Sequence, residues 1–117
     1  MKLNRLANCK NPYQGNAKRV LVVCSAGLLR SPTAAWVLSN PPYNYNTRAA
    51  GIEESYALIP VDEVLLEWAD EVVCMDRSQE QRLNEITNKP VKCLDIPDEY
   101  PRMHQELIKA IKEAYKP

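Results

Sequence analysis

The first 52 residues of this chain contain neither aspartate nor glutamate; the first acidic residue is Glu53. Before it stand seven cations, Lys2, Arg5, Lys10, Lys18, Arg19, Arg30 and Arg48, while all 15 acids lie from Glu53 onward. The whole chain is neutral. Either the two oppositely charged halves neutralise each other on folding, or the basic half surrounds an anion site; both can hold at once. Histidine occurs once, as His104, and none of the cysteines at 9, 24, 74 and 93 belongs to a Cys-x-x-Cys pair. Structural zinc takes four clustered cysteine or histidine ligands, so it is not expected. A disulfide framework is not expected either, because a chain of this size can build its own core. No apolar run approaches the roughly 20 residues that span a bilayer. The opening residues hold no apolar stretch of signal-peptide length. The expectation is a cytoplasmic protein that does not enter a membrane.

What is present suits one domain of 117 residues. Residues 1–18 are polar, with Asn11-Pro12 and Gly15, and are expected to form an N-terminal arm. The domain proper is expected over 19–117. Arg19-Val20-Leu21-Val22-Val23-Cys24 is a continuous apolar run rich in β-branched residues, the pattern of a strand buried on both faces of a parallel sheet. Ser31-Pro32 then opens a helix, with Ser31 as cap and Pro32 at the first position, ending before Asn40-Pro41-Pro42. A weaker strand is expected over Tyr43–Ala49. A helix over Val61–Trp68 would turn Val61, Val64, Leu65 and Trp68 inward. Further strands are expected at Glu71–Met75 and Pro90–Leu94, a polar helix over Arg77–Ile86, and a last helix over Met103–Tyr115. Strands alternating with helices predict an α/β fold: a three-layer sandwich, with a four-stranded parallel sheet and helices on both faces. Right-handed crossovers would gather the active loops at the carboxyl ends of the strands.

The loop after the first strand carries the chemistry. Residues 24–32 read Cys-Ser-Ala-Gly-Leu-Leu-Arg-Ser-Pro. A bare Cys-x5-Arg arises by chance in roughly a quarter of chains with this many cysteines and arginines, so the context must decide. Here the cysteine ends a buried strand and a helix opens directly after the loop. The amides of Ser25, Ala26, Gly27, Leu28, Leu29 and Arg30 would turn inward as an anion cradle, aided by the helix dipole. Such a field favours the thiolate of a cysteine at its mouth, which makes Cys24 the candidate nucleophile. Arg30 offers a planar fork for two phosphate oxygens. Ser31 can donate a hydrogen bond to the sulfur as it leaves.

VLVVCSAGLLRSPTAAWVL resembles the phosphate loop and first helix of the low-molecular-weight protein tyrosine phosphatases, whose pattern is Cys-x5-Arg-Ser-Pro after an apolar strand. Cys74-Met75-Asp76-Arg77-Ser78 resembles the family's Met-Asp segment, and Arg48-Ala49-Ala50-Gly51 its Arg-Ser-Ala-Gly. Ile96-Pro97-Asp98-Glu99-Tyr100 resembles its general-acid loop. The likeness covers about residues 19–115 and is nearest to a short, divergent branch of predicted tyrosine phosphatases. The chain has Gly27 where the family usually has asparagine, Leu29 where it often has a second cysteine, and Glu99 where it has proline. The resemblance implies hydrolysis of phosphate monoesters, with protein phosphotyrosine as the default substrate and Asp98 as general acid. Asp95 is the alternative acid, or a supporting residue.

With loop amides and Arg30 supplying the charge stabilisation, no metal or organic cofactor is called for. The expected partners are a phosphorylated protein or a small phosphomonoester, with no nucleic acid, and a monomeric state is expected. Two other readings stay open: a phosphate- or phosphotyrosine-binding module without turnover, and a thiol-dependent arsenate reductase. The latter needs further cysteines near Cys24, and Cys74 and Cys93 fall on separate strands. There they read as small hydrophobes. Trp36 and Trp68 read as core residues, His104 as a solvated residue or cap, and Tyr56 and Tyr100 as either pocket walls or ordinary loop residues.

Overall fold

The computed structural model describes residues 17–24, 30–52, 60–96 and 105–115, with the backbone alone at 30–32. Within these, four strands form one parallel sheet in the order β2-β1-β3-β4. They are β1 (Arg19–Cys24), β2 (Asn46–Gly51), β3 (Glu71–Cys74) and β4 (Val91–Cys93). The four helices are α1 (Arg30–Ser39), α2 (Glu63–Trp68), α3 (Arg77–Ile86) and α4 (Gln105–Ala114).

The centre of the sheet goes to the most apolar segment. Strand β1 pairs along its whole length with β2, from Arg19↔Asn46 to Cys24↔Gly51. Its other edge pairs with β3, from Val20↔Glu71 to Val23↔Cys74. Side chains alternate across a strand, so β1 feeds two cores. Val20, Val22 and Cys24 pack with Ala34, Ala35, Val37 and Leu38 of α1 and with Leu107 and Ile111 of α4. Leu21 and Val23 pack with Leu65 and Leu66 of α2 and Leu83 of α3. Two helices on each face give the three-layer sandwich that the alternation of elements predicts.

Three local features differ from the sequence reading. The helix opens at Arg30 rather than after a Ser31 cap, so Ser31 and Pro32 fall in its first turn. Proline is tolerated there because the first-turn N–H groups have no intrahelical partner. Trp36, expected in the core, is 45% exposed. The buried stripe of α1 runs through Thr33, Ala34, Ala35, Val37 and Leu38, and position 36 lies on the opposite side at 100° per residue. Val64 is likewise exposed. Asp62 caps α2 by accepting from Leu65 N at 3.0 Å, and the helix turns Leu65 and Leu66 inward.

Strand β2 starts and ends later than expected, and every residue in it is buried. Arg48 is held there by polar and aromatic contacts. Its Nη1 donates to Asn46 Oδ1 and to Thr47 O, both at 2.8 Å, and its guanidinium lies 4.6 Å from the Trp68 ring centroid. Lys18, expected in the arm, is tied to the sheet: its carbonyl accepts from Asn46 N at 2.9 Å, and its Nζ lies 3.3 Å from Glu71 Oε1. Residues 1–16 lie outside the described residues.

Candidate active site

Cys24 is the last residue of the central strand, 3% exposed, at the carboxyl edge of the sheet. Its carbonyl accepts from Ile52 N at 2.9 Å, which extends the β1–β2 ladder one step past the strand. Six residues later α1 begins at Arg30. A strand therefore ends on one side of residues 25–29 and a helix begins on the other, the order that an anion cradle requires. Gly27 and the other cradle residues, Ser25, Ala26, Leu28 and Leu29, lie outside the described residues, as do Asp98, Glu99, Tyr56, Tyr100, His104 and Cys9.

The segment of Asp95 leaves the sheet at this same edge. After β4, Leu94 N donates to Cys74 O at 2.9 Å and Ile96 N to Met75 O at 2.8 Å. The chain thus keeps following β3 beyond the end of β4. Leu94 and Ile96 are buried in the same core cluster as Cys24. Asp95 between them is exposed and has a positive φ of 56°, a conformation that aspartate and asparagine adopt more readily than other residues with a Cβ. The kink sends the Asp95 side chain outward while its neighbours anchor the segment on the face that carries Cys24.

Met75-Asp76, part of the family resemblance, has a clear local task. Asp76 Oδ1 accepts from Gln79 N at 3.0 Å, and Gln79 Oε1 accepts from Asp76 N at 3.2 Å and from Met75 N at 2.9 Å. This is a capping box that turns the chain from β3 into α3 and satisfies N–H groups that would otherwise be orphaned. Arg48, from the other matched segment, faces Trp68 and the α2 layer rather than the layer of Cys24.

A comparison of the chain with protein-family models, curated proteins and solved structures finds no match.

The sequence reading missed one pairing. Cys74 and Cys93 do lie on separate strands, but the strands are neighbours and the two residues are in register. They pack on the face of Leu21 and Val23, across the sheet from Cys24. Burial, then the nearby Cys93, pushes the Cys74 thiol well above its ordinary range. The spacing of the two cysteines in the sequence carries no such signal, because register depends on the intervening helix and turns.

Among the described residues no group of three or more histidine, cysteine or acidic side chains is assembled that could hold a metal ion. A polar groove of about 540 Å³ opens between α2 and the end of α3, lined by Glu63, Leu66, Glu67, Glu85, Ile86 and Lys89 among others. It belongs to the layer across the sheet from Cys24, and its acidic rim suits no phosphate. Lys89 is already engaged there, donating to Ala69 O at 2.6 Å.

Proposed function

We propose that the chain hydrolyses phosphate monoesters through a phosphocysteine intermediate on Cys24. The observation that carries this reading is the placement of Cys24: the end of the central parallel strand, at the carboxyl edge, with a helix opening at Arg30. Ligands of open α/β sheets bind at that edge. The Cys-x5-Arg-Ser-Pro sequence adds a thiol and a guanidinium fork to it.

In the first step the Cys24 thiolate attacks phosphorus. The S–P bond forms, the bond from phosphorus to the ester oxygen breaks, and Asp98 gives its proton to the departing oxygen. Arg30 and the amides of residues 25–30 hold the phosphoryl oxygens as their charge redistributes. In the second step the Asp98 carboxylate takes a proton from water, whose oxygen attacks phosphorus. The S–P bond breaks, Ser31 donates toward the departing sulfur, and phosphate is released. Protein phosphotyrosine is the substrate the family resemblance suggests. Arsenate reduction would need a second thiol within reach of Cys24, and Cys74 and Cys93 pack on the other face of the sheet.

Turnover of p-nitrophenyl phosphate by the wild-type chain and its loss in Cys24→Ser test the reading. A wild-type chain that binds vanadate without turnover would be a binding module instead. Full activity in Cys24→Ser would remove the thiol mechanism.

A further inference from the structure

Strands β3 and β4 place two thiols side by side. Cys74 and Cys93 are register partners on adjacent parallel strands, so their Cα atoms stand about one strand spacing apart, roughly 4.8 Å. Disulfides span Cα separations of about 4.4–6.8 Å. Register partners on neighbouring strands point to the same face, and here both side chains join the same core cluster. They differ in access: Cys74 is fully buried, whereas Cys93 is half-buried on the short edge strand.

We propose that Cys74 and Cys93 form a second thiol site, separate from Cys24, which a hydroperoxide oxidises to a cross-strand disulfide. The reaction begins at the more accessible sulfur. The Cys93 thiolate attacks the peroxide, an S–O bond forms as the O–O bond breaks, Cys93 becomes a sulfenic acid, and the other oxygen leaves as hydroxide that takes the proton shed by the Cys93 thiol and becomes water. The Cys74 sulfur then attacks the Cys93 sulfur. The S–S bond forms, the S–O bond breaks, and the oxygen leaves as water with the proton of Cys74. Two thiols lose two electrons in all, and one hydrogen peroxide becomes two waters.

The order of events follows from the surroundings. Burial and the neighbouring Cys93 keep Cys74 protonated, and its Sγ–H points to Asp76 O at 3.6 Å. Cys74 therefore waits as the resolving thiol rather than meeting oxidant first, since reactivity follows thiolate character and exposure. Proximity makes the second step intramolecular, which protects Cys93 from the irreversible sulfinic state. The link would join β3 to β4 directly beneath the Leu94 N to Cys74 O bond, where the chain turns out through Asp95. The site stands or falls independently of the phosphatase reading, because its readout is the state of two sulfurs.

The test uses the full chain carrying Cys9→Ser and Cys24→Ser, so that Cys74 and Cys93 are the only thiols. Folded protein is treated with hydrogen peroxide, its free thiols are titrated, and its peptides are mapped by mass spectrometry. The expected result is loss of both thiols, a Cys74–Cys93 linked peptide in monomeric protein, and full recovery with dithiothreitol. Cys74→Ala on the same background should send Cys93 on to sulfinic acid, which dithiothreitol does not reverse. The proposal is overturned if Cys93 overoxidises while Cys74 stays a free thiol. It is also overturned if the only disulfide is between chains, or if Cys74→Ala leaves the fate of Cys93 unchanged.

Discussion

The Tyr115 hydroxyl donates a 2.8 Å hydrogen bond to Glu71 Oε1, fastening the residue just after α4 to the first residue of β3. The ring is 1% exposed and meets the rings of Tyr43 and Tyr45 at centroid distances of 5.7 and 6.1 Å. Tyr115→Phe keeps the packing and removes the bond. Hydrogen bonds to charged groups contribute about 1.5–3 kcal/mol, but Glu71 keeps Lys18. We expect a loss of about 1–2 kcal/mol and a Tm lower by roughly 5–10 °C in thermal denaturation. Burial, followed by the bond to Glu71, raises the Tyr115 phenol above its ordinary value. The unfolded chain thus loses this proton first, and stability falls as pH rises past about 10. Tyr115→Phe should flatten that alkaline decline; an unchanged decline would contradict the assignment.

The capping box at the start of α3 should be worth a measurable amount. Asp76→Ala is expected to cost about 1 kcal/mol, and Asp76→Asn less, because asparagine also caps. Gln79→Ala should cost more, about 1–3 kcal/mol, since it strands the N–H groups of Met75 and Asp76 at a site only 2% exposed. Urea denaturation of the three variants ranks them. A harmless Gln79→Ala would mean that water replaces the side chain.

On the proposed mechanism, Cys24 is the thiol that an oxyanion protects. Iodoacetate near pH 6 should alkylate Cys24 before Cys9, and phosphate or vanadate should slow that reaction at least tenfold, in line with an anion cradle around an activated thiolate. Peptide mapping after timed labelling reads this directly. Equal rates at both cysteines, with no protection, would count against the cradle.

The two candidate acids separate by leaving group. General acid assistance is worth about 10²–10⁴-fold, and a basic phenoxide needs it more than p-nitrophenoxide does. Asp98→Asn should therefore depress phosphotyrosine turnover far more than p-nitrophenyl phosphate turnover. Asp95 holds a left-handed backbone. Asp95→Asn and Asp95→Gly should keep the fold and most activity, whereas Asp95→Val should cost about 1–2 kcal/mol through its Cβ branches. A leaving-group-dependent defect in Asp95→Asn, absent from Asp98→Asn, would reverse the roles.

Legibility in the sequence followed the strength of the physical signal. Strand β1 was readable to the residue because only a doubly buried strand requires five apolar residues in a row, Val20 to Cys24. Helix α3 was equally clear, since Asp76 and Gln79 mark its start. Strand β2 was not, because Asn46, Thr47 and Arg48 look polar and are buried only through contacts to Ala35, Trp68 and one another. Trp36 misled because hydrophobicity alone does not say which side of α1 meets the sheet. The approach of Cys74 to Cys93 was invisible, since it is a property of register. At the candidate site, the place of Cys24 was legible, whereas the exact start of α1 and the choice between Asp95 and Asp98 were not.

The sheet also has a gradient of cooperativity. Strand β1 has partners on both edges and residues with no exposure from Val20 to Val23, so its amides should exchange with solvent only on global unfolding. Among the described residues strand β4 has three half-buried residues and one partner, and it should open far more often. Cys24 thus ends a strand bonded along both edges, whereas the segment of Asp95 follows a three-residue strand at the edge of the described sheet. If β4 and the Leu94 and Ile96 bonds to β3 open while β1 stays formed, exchange at Leu94 and Ile96 would be many times faster than unfolding of the chain.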